Sequence, residues 1–103
     1  MEPRLDRIDI TPSANGWSVA GEIDAVTAQQ LADEFANLPD VIDGHIEVDL
    51  AAITFMDSSG LRVLLALADR AEASGRTVVV RNPSKPVTKL LGITQLESRF
   101  GLI

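Results

Sequence analysis

IEVDLAAITFMDSSGLRVLLALADR, residues Ile46–Arg70, decides the reading of this chain. Ile46, Val48 and Leu50 alternate with polar residues at the period of a strand, and Ile53, Phe55 and Met56 follow as a short apolar hook. Asp57-Ser58-Ser59-Gly60 then interrupts the apolar pattern, and from Leu61 the period becomes helical. Leu61, Leu64, Leu65, Ala68 and Ala71 share one helix face, while Arg62, Ala66, Asp69 and Ala73 share the other. Strand, polar corner and helix in that order place small hydroxyls at a helix N-terminus.

The first N–H groups of a helix lack partners within it, so a short polar side chain at its start satisfies them. Asp57, Ser58 and Ser59 all qualify, and Gly60 permits close backbone approach to a neighbour. The same free N–H groups and the helix dipole favour anions, so a phosphate on Ser58 or Ser59 would be tolerated locally. From spacing alone an ordinary helix cap is the simpler account of Asp57 and Ser58.

Before this stretch, the alternations Ile8, Ile10 and Trp17, Val19, Gly21 flank a connection with Pro12 and Asn15-Gly16, which predicts an antiparallel pair with the edge strand first. Trp17 reads as core. Asp24 precedes a helix whose buried face is Leu31, Phe35 and Leu38; it is the expected N-cap, with Thr27 followed by Gln30 as a competitor. Pro39 is expected to end that helix, and a loop over Asp40–Gly44 to lead into the central strand.

After the central helix, Gly75 is the expected left-handed cap, and Thr77–Val80 reads as an interior strand covered more fully. Asn82-Pro83 turns the chain, Ser84 caps a short helix through Leu91, and Gly92 closes it. Lys85 and Lys89 read as solvated positions. Ile93–Leu96 is a turn or short helix, and Arg99–Ile103 adds a last short strand. The expectation is one α/β domain over residues 1–103: a mixed sheet of four to five strands, parallel in its later part, with helices packed mainly on one face.

Composition narrows the functions. A chain of 103 residues removes roughly 60 to 70% of its unfolded surface from water on folding, and 46% hydrophobic residues supply a core without metal or disulfide staples. Cys is absent, which excludes disulfides, thiolate metal sites and Cys nucleophiles and fits a reducing compartment. A net charge of −6 and a pI near 4.5 argue against a nucleic-acid partner. MEPRLDRIDI at the start has no apolar signal region, and Leu61–Ala68 is too short to span a bilayer, so a cytoplasmic protein without membrane insertion is expected.

FMDSSGL at Phe55–Leu61 closely resembles the signature of the STAS domain, shared by sulphate transporters and anti-sigma-factor antagonists. GEID at Gly21–Asp24 lies where that family has a similar segment, and RNPSKPVTKLLGITQLESRFGLI at Arg81–Ile103 resembles the tail of free-standing bacterial antagonists. The family usually carries one more helix at its C-terminus. The resemblance implies phosphorylation at Ser58 by an anti-sigma factor with serine kinase activity, and it leaves room for a protein phosphatase. It maps the two family aspartates onto Asp24 and Asp57 and the second hydroxyl onto Ser59. A partner surface of Asp24, Asp57, Ser58, Ser59, Gly60, Arg62, Ala66 and Asp69 is therefore expected, with no cofactor, no metal and no catalytic residue.

Two other classes are weighed against an anti-sigma-factor antagonist. A STAS module of a signalling scaffold or of a lipid-transport ATPase complex would share the fold and lack the phospho-switch. An enzyme would need more than this sequence offers: Ser58 lacks the preceding glycine of a G-x-S-x-G elbow, and His45 is the sole imidazole.

Overall fold

In a computed structural model, which describes residues 7–39 and 44–103, the alternation around Ile46 becomes the middle strand of a five-stranded sheet. The elements are β1 (Ile8–Ser13), β2 (Gly16–Ile23), α1 (Thr27–Phe35), β3 (His45–Met56), α2 (Ser58–Ala73), β4 (Thr77–Arg81), α3 (Lys85–Thr94), a 3-10 turn (Glu97–Arg99) and β5 (Gly101–Leu102). Spatial order equals chain order, β1-β2-β3-β4-β5. β1 and β2 are antiparallel, and every later neighbouring pair is parallel. Three successive strand-helix-strand crossovers of the usual right hand, each adding a strand on the same side, bring their helices to one face.

That face holds the core. Ile46, Val48 and Leu50 of β3, Val78 and Val80 of β4, Leu31 of α1, Leu64 and Leu67 of α2, and Val87 and Leu91 of α3 are all buried. Trp17 of β2 is buried too, its ring centroid 4.6 Å from that of Phe35. The opposite face is more open, and there Glu47 of β3 pairs with Arg81 of β4 at 3.5 Å. β4 accordingly alternates, Val79 being only half-buried between Val78 and Val80, where its β-branched run had pointed to fuller cover.

The apolar hook belongs to β3. Ser18 pairs with Asp49 but Ala20 with Ala52, and Gly21 pairs with Ile53 but Glu22 with Phe55. β3 thus carries two extra residues against β2, and each bulge reverses which side chains face inward. Ile53 and Met56 turn into the core, while Phe55 is left 47% exposed.

Other boundaries move for local reasons. Pro12 lies within β1, opposite Trp17, where an edge strand needs no N–H on its solvent side; residues 14 and 15 make the turn. α1 ends at Phe35, before Pro39, and Arg70 of α2 satisfies its terminal carbonyls, donating to Phe35 and Ala36 at 2.8 Å each. Leu38 is half-buried beyond the helix, and residues 40–43 of the expected loop lie outside the described residues. Gly75 takes its left-handed position, φ 77°. α3 runs through Gly92 to Thr94, and Gln95 at φ 60° makes the left-handed cap instead. Gly21, at φ 110°, is required at β2: a Cβ there would overlap the Arg7 carbonyl.

Candidate functional site

β3 and α2 meet at Asp57, whose backbone is extended (φ −113°, ψ −171°) and whose carboxylate accepts a 2.8 Å hydrogen bond from the Ser59 N–H. The Asp57 N–H donates to the Ile23 carbonyl at 3.1 Å, which ties the corner to the end of β2. Ser58 is the first residue of α2 and is exposed. No hydrogen bond among the described residues engages its hydroxyl. Ser59 is half-buried, and Gly60 is buried, its missing side chain leaving room for Ile23 and Met56. A hydroxyl therefore faces solvent on a backbone pinned on both sides.

Asp24 arrives beside this corner through register. Ile23 and Met56 are partners on adjacent parallel strands, so Asp24 and Asp57 each stand one residue beyond a matched pair. Asp24 Oδ1 accepts from the N–H groups of Val26 at 2.9 Å and Thr27 at 3.1 Å. Thr27 Oγ1 accepts in return from the Asp24 N–H at 2.9 Å and donates to the Glu22 carbonyl at 2.7 Å. The two competing cap signals of the sequence thus bond each other reciprocally in the turn before α1. Neither occupies its N-cap, which is Val26 because the helix starts only at Thr27, and Gln30 takes no part.

Arg7 completes the corner and was not legible in sequence. Its guanidinium bonds both Asp24 carboxylate oxygens and reaches Glu22 at 3.2 Å. That contact, supported by the Thr27 and Val26 N–H groups, holds the Asp24 carboxyl below the usual carboxylate range. Two carboxylates one strand apart would repel, and Arg7 answers the charge of one of them.

Along α2, Arg62 and Ala66 are exposed as expected, and they border a groove of about 510 Å³ between α2 and α1. Ser59, Arg62, Val63, Ala66, Leu67 and Arg70 line it on one side and Ala25, Ala28, Gln29, Ala32 and Phe35 on the other. The small residues of α1 gave no functional signal in sequence, since alanines in a helix read as good helix formers. Asp69 lies further along, paired with Arg99 at 2.7 Å.

His45 sits at the opposite end of the 12-residue β3 from this corner, about 36 Å away at about 3.3 Å per residue. The fold does not bring it to Ser58. Among the described residues no group of three or more His, Asp or Glu side chains is placed to hold a metal, and no helix is long and apolar enough to cross a membrane.

The family model described as "Mlab, STAS domain" matches residues 7–103. This chain belongs to the STAS family. The STAS-domain containing protein PA14_20770 of Pseudomonas aeruginosa (strain UCBPP-PA14) is 31% identical over 97 residues, covering 90% of this chain and 95% of that protein. The crystal structure of an anti-sigma factor antagonist from Mycobacterium paratuberculosis matches with a TM-score of 0.70 at 30% identity, over 96% of this chain and 87% of that one. The anti-sigma factor antagonist SpoIIAA in its unphosphorylated form has the same fold, with a TM-score of 0.70 at 20% identity over 93% of this chain and 87% of its own. As a STAS domain, the chain keeps the FMDSSG corner and GEID segment on neighbouring strand ends.

Proposed function

We propose that this STAS domain is an anti-sigma-factor antagonist of the cytoplasm. Unphosphorylated, it docks on an anti-sigma factor that is itself a serine kinase and so releases a sigma factor; phosphorylation of Ser58 ends the docking. The observation that carries this reading is the exposed Ser58 hydroxyl on a corner fixed by the Asp57 cap and the Asp57–Ile23 hydrogen bond. The Mycobacterium paratuberculosis antagonist supports it from outside the chain.

Magnitudes place the effect of phosphate on the partner and not on the fold. A helix N-terminus stabilises an anion by about 0.3–1 kcal/mol, whereas a unit charge about 4 Å from a partner carboxylate costs about 4 kcal/mol at an intermediate dielectric. A phosphoserine brings about −1.5 to −2 charge beside Asp57. Docking loses far more than folding gains.

Co-purification from the native cell under phosphatase inhibition, with intact-mass measurement, reports partner and modification together. Incubation of the recovered kinase with this chain and ATP, followed by phosphopeptide mapping, then tests the site. Label on another residue with Ser58 unmodified ends the mechanism.

A second reading is a STAS module of a signalling scaffold or a lipid-transport ATPase complex, without a switch at Ser58. The family match, over residues 7–103, is common to both readings. Recovery of transporter subunits and no kinase-like anti-sigma factor would decide for the second.

A further inference from the structure

Among the described residues, Arg62 is the arginine that no protein group engages. Arg7, Arg81 and Arg99 lie in ion pairs, and Arg70 and Arg76 donate to main-chain carbonyls. On a chain of net charge −6, this one uncommitted guanidinium stands on the wall of the α1–α2 groove, one turn from Ser58. Residues four apart on a helix are side-chain neighbours, so Arg62 reaches toward whatever Ser58 carries.

We infer that Arg62 is the residue through which a phosphate on Ser58 acts. Unphosphorylated, the groove receives a segment of the partner with apolar side chains, to pack against Ala28, Ala32 and Ala66, and a carboxylate that pairs with Arg62. The alanine walls leave room for apolar side chains, and of the two arginines that line the groove Arg70 is already bonded to the Phe35 and Ala36 carbonyls, so Arg62 sets the sign of the charge that follows them in. Phosphoserine at 58 captures Arg62 within the helix through charge-assisted hydrogen bonds, which removes the receptor of the partner's carboxylate. The switch then acts by competition for one guanidinium as well as by repulsion. This inference rests on the proposed Ser58 switch and names the partner chemistry that the switch controls.

The test has two independent readouts. The first uses the full chain with phosphoserine genetically encoded at position 58 and needs no partner. The second ionisation of the phosphate, titrated by phosphorus NMR, is expected to fall about 0.2–0.4 pH unit lower with Arg62 present than in Arg62→Gln, the size of an exposed ion pair at this spacing. Equal values overturn the capture.

The second measures affinity for the purified anti-sigma factor recovered in the co-purification. Arg62→Gln is expected to weaken binding of the unphosphorylated chain about tenfold or more, as loss of a charge-assisted hydrogen bond does. It is also expected to shrink the ratio between phosphorylated and unphosphorylated dissociation constants, which a purely structural role would not move. An unchanged affinity and ratio with Ser58 still phosphorylated overturns this inference and leaves the switch standing; Ser58 unmodified by the kinase overturns the switch. A self-association of the chain that Arg62→Gln abolishes would put a second copy in the groove and overturn the partner assignment.

Discussion

Asp24 and Asp57 stand side by side because Ile23 and Met56, the residues before them, are register partners on adjacent parallel strands. The two aspartates are 33 residues apart in sequence, and the parallel ladder brings them together. Asp57 then caps α2, while Asp24 closes the turn that leads into α1, whose N-cap position is Val26. The two helix N-termini and both carboxylates therefore converge where Ser58 is exposed.

Ser58→Ala is expected to bind the anti-sigma factor constitutively, and Ser58→Asp weakly. Titration of each purified variant against the recovered partner, with and without ATP, checks both. ATP should change binding of the native chain and leave that of Ser58→Ala unchanged.

Gly60→Ala puts a methyl 2.6 Å from Ile23 Cγ2 and 2.9 Å from Met56 Cγ. Overpacking of this kind costs about 1–3 kcal/mol, against a helix-propensity gain of up to about 1 kcal/mol. Net destabilisation by urea unfolding is therefore expected, since Ile23 is fully buried and has no room to retreat.

Asp57→Ala removes the acceptor of the Ser59 N–H. The expected loss is about 0.5–2 kcal/mol, the usual worth of an N-cap. Asp57→Asn, which keeps an acceptor, should recover most of the stability in the same denaturant experiment while removing the charge, so the two variants separate cap from electrostatics.

Arg7→Gln tests the clamp on Asp24. The folded Asp24 carboxyl ionises below its unfolded value, so below about pH 4 the unfolded chain takes up a proton that the folded chain refuses. The stabilisation is present above that pH and is lost as pH falls through the folded value. The gap in denaturation midpoint between the native chain and Arg7→Gln should be full at neutral pH and narrow on acidification. A constant gap would show that Arg7 acts through packing alone.

What the sequence determined by itself is local. The FMDSSGL corner, the helix-period face from Leu61 to Ala71, the Gly75 cap and the Asp24 and Thr27 cap signals are all set by spacing over a few residues, because capping and periodicity depend on near neighbours. Those features were enough to place Ser58 at a strand-to-helix corner.

Tertiary structure decided the rest. The bulges that turn Ile53 and Met56 inward and Phe55 outward arise from pairing with β2, which no window on β3 contains. Arg7 meets Asp24 across 17 residues, and Arg70 meets the end of α1 across 35, because long flexible cations find their acceptors only once the sheet has stacked the elements. The α1–α2 groove exists only between two packed helices, and with it the position of Arg62 beside both a wall of alanines and the Ser58 hydroxyl.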